Sequence, residues 1–533
     1  MVFVDEIKGS VKTSARKMRR QPKEQGSTNK ITKQLTLIEP SKVDQQRELR
    51  GSDEKKYIRK KEVLTERIQV KTSKQLRLLY ECSRTLYNLA NTYLIKGSHE
   101  FVLTKGRSTQ KMGKLIQYRV LERELKDAPA YQALPAQTSQ QILLLLERNW
   151  KSFFEALDDW KVHPENYKGR PQPPNLKEQD AQNLLIFTNQ QCMIKGDFLF
   201  FPPKVDLPSI KVDPARLGTL QQVRIVPRGV FSIIEIVYKK EVEIPLLSKS
   251  QKKRMIAIDI GVRNTVCIVS NCGLRPWILK GGAVKSVNQF YNKQRAKYQT
   301  LYKEQGLMGK GIKGQPSRLD RLDKIRNNKI EDLFHKLSRA IIGYCSANTI
   351  GTIVLGYNAQ WKQNSRMGRV NNQNFQHVPF YRLVEKITYK AELEGIQVVR
   401  VNESHTSKCS FLDNEPIEHH ETYCGKRGVY RSTKVGGNNK VDHGLFQAAD
   451  GRVINSDVNG AYNILQKAFP EAIAADGIEG LGLVPYSVTF AELKHLANLK
   501  TTQKHSRKLR GADGIEGVSR QIEANGSDEN YIS

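Results

Sequence analysis

Disulfide chemistry is the first thing this sequence is too poor to support. Seven cysteines are scattered through 533 residues, an odd number with no repeated close pairing, so no disulfide framework is expected and a reducing cytosol is the natural compartment. Long apolar runs are missing as well. No stretch approaches the roughly 20 apolar residues that a membrane span requires, and the start Met1, Val2, Phe3, Val4, Asp5 has no apolar core behind a basic segment. A soluble, non-secreted chain is expected, cytoplasmic and nucleoid-associated in a prokaryote, with no membrane partner. Acid is the third shortage: 54 Asp plus Glu stand against 87 Lys plus Arg, a formal net charge of +33. An excess of that size spread along the chain argues for an extended polyanion over a small acidic metabolite, because neutralising many phosphates releases many counterions.

What is present divides the chain into several domains, since 533 residues exceed one ordinary core. Residues 1–48 are basic and polar with little hydrophobic periodicity, and read as a disordered arm. The alternating piece Glu66 to Val70 predicts a strand, and residues 49–72 with 170–250 form a small barrel or sheet. Between them, residues 73–169 carry apolar side chains at helical spacing (Leu76, Leu79, Leu86, then Thr138 to Trp160), an inserted helical lobe. On its second helix Asn149, Trp150, Lys151, Phe153 and Phe154 interleave aromatic and basic groups. That pattern suits nucleic-acid contact by Trp150 and Lys151, and it equally suits aromatic side chains of a helix core.

A further domain opens near residue 252. Met255 to Val262 is a short buried strand carrying one acid, followed by strands Thr265 to Ser270 and Pro276 to Lys280. Helices Ser286 to Glu304 and Leu319 to Ala347, strand Thr352 to Leu355, helix Pro379 to Leu393 and strand Gln397 to Val401 complete an RNase H-like order. The domain spans 252–405 and 453–485, with an insert at 406–452 and a tail at 486–533 in which Ala475 to Gly480 recurs as Ala512 to Gly517 just beside and within it.

An Asp in the middle of an apolar strand is costly unless it is paired or binds a metal, so Asp259 is the first catalytic candidate; its plainer reading is a cap on the turn at Gly261. Asp457 is the second, with helix N-capping as its plainer reading. Together they suggest one shared site.

Ala257 to Asn264 resembles the first RuvC motif of TnpB proteins, and Ser456 to Ile464 resembles their third. Gln137 to Pro174 looks like their N-terminal lobe, Val284 to Gln299 like their basic helix, and Arg326 to Arg339 like a later helix with His335 and Lys336. The resemblance extends over residues 60–485 and is shared by compact type V CRISPR effectors and Fanzor nucleases. It implies an α/β plus α+β multidomain chain: a RuvC nuclease domain, and a wedge-like β-barrel domain holding a recognition lobe. It also implies a guide RNA, double-stranded target DNA, and cutting at one site beside a short target-adjacent motif. Monomer and homodimer both stay open.

This chain departs from the family twice. The usual Glu after the strand at 352–355 is missing, where Gly356, Tyr357, Asn358, Ala359, Gln360 stand instead. The next strand ends in Glu403, and adjacent strands are only about 4.8 Å apart, so that side chain can reach the same metals. Asp259, Glu403 and Asp457 are therefore the expected ligands of two Mg²⁺ ions, carboxylate oxygens suiting hard cations, with capping or ion pairing the plainer reading of Glu403. The zinc ribbon has also lost its Cys pairs. Cys409, His419, His420, His443 and Cys424 match no regular zinc spacing, and a fold without structural zinc is expected. The polar loop with Trp361, Lys362, Arg366, Arg369 and Asn372 is a candidate for contact with guide or heteroduplex. Two rivals remain, a guided DNA-binding regulator that does not cut and a transposase proper.

Overall fold

The computed structural model describes residues 57–103, 117–307, 317–358, 378–431, 440–473 and 482–493. The expected basic arm, both copies of the hexapeptide and the loop with Trp361, Lys362, Arg366, Arg369 and Asn372 lie outside the described residues.

Strand β1 (Tyr57–Lys71) pairs antiparallel along its whole length with β7 (Phe231–Pro245). In β1 the side chains from Glu62 onward alternate between half-buried and exposed, as a period of two requires when one face meets a core. Strands β6 (Thr219–Arg228) and β2 (Leu185–Thr188) extend the sheet in the order β1-β7-β6-β2. The outer strands do not pair with each other among the described residues, so of the small barrel or sheet expected here this element is a four-stranded sheet. In β7, Ser232, Ile234 and Ile236 are buried, while Phe231, Ile233 and Glu235 on the other face keep partial access to solvent.

Between β1 and β2 the chain leaves the sheet for helices α1 (Lys74–Leu103), α2 (Tyr118–Leu125) and α3 (Ala136–Val162). In α3, Ile142, Leu143, Leu146 and Trp150 recur at helical spacing and are buried. They share one core with Leu79, Tyr80 and Leu86 of α1 and with Ile225, Ile234 and Ile236 of the sheet. Helices and sheet are thus packed into one another. A small second sheet, β3 (Met193–Lys195), β4 (Phe198–Phe200) and β5 (Ile210–Lys211), is built on the same core through Leu199.

The other layer is a six-stranded sheet. Strands β8 (Met255–Ile260), β9 (Asn264–Ser270) and β10 (Trp277–Lys280) form an antiparallel meander. Helices α4 (Gly282–Glu304) and α5 (Ser317–Ala347) then carry the chain to β11 (Thr352–Gly356), which runs parallel to β8. Helix α6 (Phe380–Leu393) leads to β12 (Gln397–Val401), parallel to β11. The fully apolar stretches of β8, β9 and β11 follow from burial on both faces. One face is covered by α5 and α6, through Phe334, Leu337, Ile341, Leu383 and Ile387. The other is covered by α7 (Ser456–Ala468), through Val458, Ala461, Ile464 and Leu465. The expected tail is part of the sheet: β16 (Tyr486–Val488) pairs parallel with β10, and Val488 and Leu493 are buried in its core. The insert before α7 forms a three-stranded sheet from β13 (Lys426–Arg431), β14 (Lys440–Gln447) and β15 (Val453–Asn455).

Candidate active site

Asp259 is the fifth residue of β8, the central strand between a parallel and an antiparallel neighbour. It does not cap the turn that follows: the Gly261 N–H donates to the Thr265 carbonyl. Helix α7 starts beside it. Asn455 is the N-cap, accepting from the Asp457 and Val458 N–H groups at 3.0 and 3.3 Å, which leaves the Asp457 carboxylate free of capping duty. That carboxylate accepts from Asn264 Nδ2 at 2.6 Å and stands 3.6 Å from Arg427 of β13. One turn on, Gly460 faces Asp259 so closely that a Cβ there would lie 3.3 Å from Asp259 Oδ2.

The electrostatics show a surplus of negative charge. Burial and, after it, the charge of Asp457 hold the Asp259 carboxyl above the usual carboxylate range, only partly offset by Arg427. Cys267, opposite Asp259 on β9, has its thiol pushed up by burial first and then by both acids. Two hard carboxylates that repel each other in a desolvated setting are the donor chemistry that a divalent cation satisfies. Among the described residues, no three His, Cys, Asp or Glu side chains stand close enough together to hold an ion as they are.

Glu403 follows β12, and its side chain turns back over β11. A Cβ at Gly356 would lie 3.0 Å from Glu403 Oε2. Gly356 ends the strand whose preceding residue, Leu355, pairs with Ile258 beside Asp259. The Glu403 carboxylate therefore lies over the end of β11, at Gly356. The loop that carries it is fastened by α7: Asn463 Nδ2 donates to the carbonyls of Thr406 and Cys409, Asn459 Nδ2 to that of Cys409, and Lys467 to that of Ser404. Thr406 closes the turn by donating through N–H and Oγ1 to the Glu403 carbonyl.

Other expected contacts fare differently. Trp150 is 2% exposed and its indole N–H donates to Asn91 Oδ1 at 2.9 Å, which makes it a core side chain and corrects the expected nucleic-acid contact. Lys151 is exposed and paired with Glu147. In the insert, Cys409 is buried with its Sγ against the Glu418 carbonyl, Cys424 is exposed, and Glu415 joins the two segments by accepting from the Ser410 and Cys424 N–H groups at 2.7 and 2.8 Å. Asn264, Arg427, Asn459 and Asn463 were not picked out as site residues from sequence. Asn264 closes the first motif, so its place was a usable signal, whereas Arg427 lies in an insert without any motif.

The sequence model of a probable transposase family, OrfB_IS605, matches residues 235–362, and that of the Cas12f1-like TNB domain matches residues 380–464. A TnpB-like protein, ORF457 of Acidianus two-tailed virus, is 26% identical over 229 residues, 42% of this chain and 43% of the relative. Over these stretches the chain is similar to TnpB-type proteins. Another relative is the CRISPR-associated endodeoxyribonuclease Cas12f1 of Sulfoacidibacillus thermotolerans, 24% identical over 216 residues, 40% of this chain and 45% of the relative. The chain thus spans about half the length of the curated relatives it matches. Among solved structures, a Cas12f1–sgRNA–target DNA complex covers 73% of the chain and 82% of its own, at 13% identity and a TM-score of 0.42.

Proposed function

We propose that this chain is an RNA-guided DNA endonuclease that cuts its target at a single RuvC-type site in an RNase H-like domain, next to a short target-adjacent motif. The observation that carries the reading is the placement of Glu403 over Gly356, beside the strand of Asp259 and under the helix of Asp457. A missing acid is made good from the neighbouring strand. Asp259, Glu403 and Asp457 are the residues that would hold two Mg²⁺ ions, which when bound activate the attacking water and stabilise the leaving 3′ oxygen. The chain's own part is to supply carboxylates on rigid elements. Asn264 orients the Asp457 carboxylate, Asn459 and Asn463 pin the Glu403 loop, and Gly460 lets α7 approach Asp259. The basic excess supports guide and target as partners. The wedge-like role of the β1-β7-β6-β2 sheet and the recognition role of its helices belong to the same proposal.

A guided DNA-binding regulator is the second reading, favoured by the lack of three gathered ligands among the described residues. Chain purified with its own RNA decides between them, given a plasmid complementary to that RNA and Mg²⁺. Cutting is expected, and Asp259→Ala, Glu403→Ala and Asp457→Ala are each expected to abolish it while binding persists. Normal cutting by Glu403→Ala overturns the assignment of that residue. Binding without cutting by the unaltered chain establishes the regulator.

A further inference from the structure

The sheet β3-β4-β5 presents an outer face that the proposed cleavage site does not use. Inward, Leu199 is fully buried, and Ile194 and Ile210 pack on the same core. Outward, alternation places Met193, Lys195, Phe198, Phe200 and Lys211 on the opposite side, all exposed, with Met193 at 63%, Phe198 at 43% and Phe200 at 40%. Register arranges them. Phe198 has Lys195 across from it on β3 and Lys211 on β5, while Phe200 has Met193. The two rings are neighbours on one strand, about 6.7 Å apart along it. None of the residues in the three strands is acidic; Asp197 sits in the turn between β3 and β4, where its carbonyl accepts from the Val212 N–H.

Exposed aromatic rings on a rigid sheet, bracketed by ammonium groups, match a ligand with flat apolar faces on an anionic backbone. We infer that the β3-β4-β5 face is a stacking platform for unpaired bases of a nucleic-acid strand, with Phe198 and Phe200 each taking a base and Lys195 and Lys211 meeting the flanking phosphates. Any base offers a π-face, so such a platform is tolerant of sequence, and its partner is unpaired RNA or unpaired DNA, not duplex. A plain apolar contact with a second copy of the chain is disfavoured, because two such faces would bring Lys195 and Lys211 against their own counterparts. The inference rests on the reading that the chain works on nucleic acid, and not on its ability to cut.

The test uses the full chain with Asp259→Asn, purified with its RNA. Cells are grown with 4-thiouridine to label that RNA, and in a second arm a 5-iododeoxyuridine-substituted target strand is added to unlabelled complex. Ultraviolet crosslinking and peptide mapping are expected to place adducts on Phe198 or Phe200, and the labelled arm that yields them tells RNA from DNA. For the same strand, Phe198→Ala with Phe200→Ala is expected to remove those adducts and weaken binding by about 30-fold. Lys195→Gln with Lys211→Gln is expected to lower the salt slope of binding by roughly 1.4. Adducts confined to other segments, with unchanged affinity in the double Phe variant, overturn the platform while leaving the nucleic-acid reading in place. A double Phe variant that turns a dimer into a monomer overturns it in favour of self-association. Absence of bound RNA and of any adduct removes the broader reading and the platform together.

Discussion

Gly356 is the residue on which the catalytic proposal turns. A side chain there would meet Ile464 Cδ1 at 2.4 Å as well as the Glu403 carboxylate, so glycine at this position and glutamate at 403 are two halves of one arrangement. Its reversal is testable. In a Glu403→Gln background, Gly356→Glu combined with Ile464→Ala supplies an acid from β11 and the room to hold it. This triple variant is expected to recover at least a tenth of the plasmid cutting that Glu403→Gln alone loses; no recovery in a chain with an unchanged circular dichroism spectrum refutes the equivalence of the two positions. At this scale Asp259 was legible in sequence, because an acid inside an apolar strand costs several kcal/mol unless used. Asp457 was legible only in company, since its first-turn position could equally have meant capping until Asn455 was found to hold that role. Trp150 misled because an aromatic residue next to a basic one on a helix has the same sequence pattern whether it faces solvent or core.

Among the elements, the insert between β12 and α7 is tied together through Glu415. The Glu415 carboxylate is buried and takes one N–H from each of the segments carrying Cys409 and Cys424, a bridge made of hydrogen bonds. Removing it leaves two donors without their acceptor, a loss of roughly 1–3 kcal/mol for each one that stays buried. Glu415→Ala is therefore expected to speed amide hydrogen exchange at Ser410 at least tenfold, whereas treatment of the unaltered chain with 1,10-phenanthroline is expected to leave that rate alone. A rate that rises on chelation would mean that a metal ion holds the insert. The strands and helices from Met255 to Val401 were readable to within a few residues, because their apolar spacing is set locally, whereas β1 extends well before the expected Glu66 piece and the strands of the insert were not read.

For the whole molecule, the joint between the two layers is set where the β6–β7 turn meets α5. Gly229 has φ +64°, and a Cβ on it would lie 2.1 Å from Asp320 Oδ2. Gly229→Ala carries both the left-handed backbone penalty, roughly 1–2 kcal/mol, and a collision with a helix of the other layer. The variant is expected to fold and to be clipped by trypsin near Arg228 several times faster than the unaltered chain. Equal rates would show that the turn and the helix are not tightly seated.

What the sequence determined alone was a net charge of +33, an inserted helical segment, a strand order, and two acids in motifs far apart in the chain. These are properties of composition and local period. Tertiary structure alone decided the rest, namely that Glu403 folds back over Gly356, that α7 pins its loop, that Arg427 joins the site, and that Phe198 and Phe200 share an outward face with lysines across the register. Such relations depend on which segments pack together, and packing is a property of the whole chain that no local pattern carries.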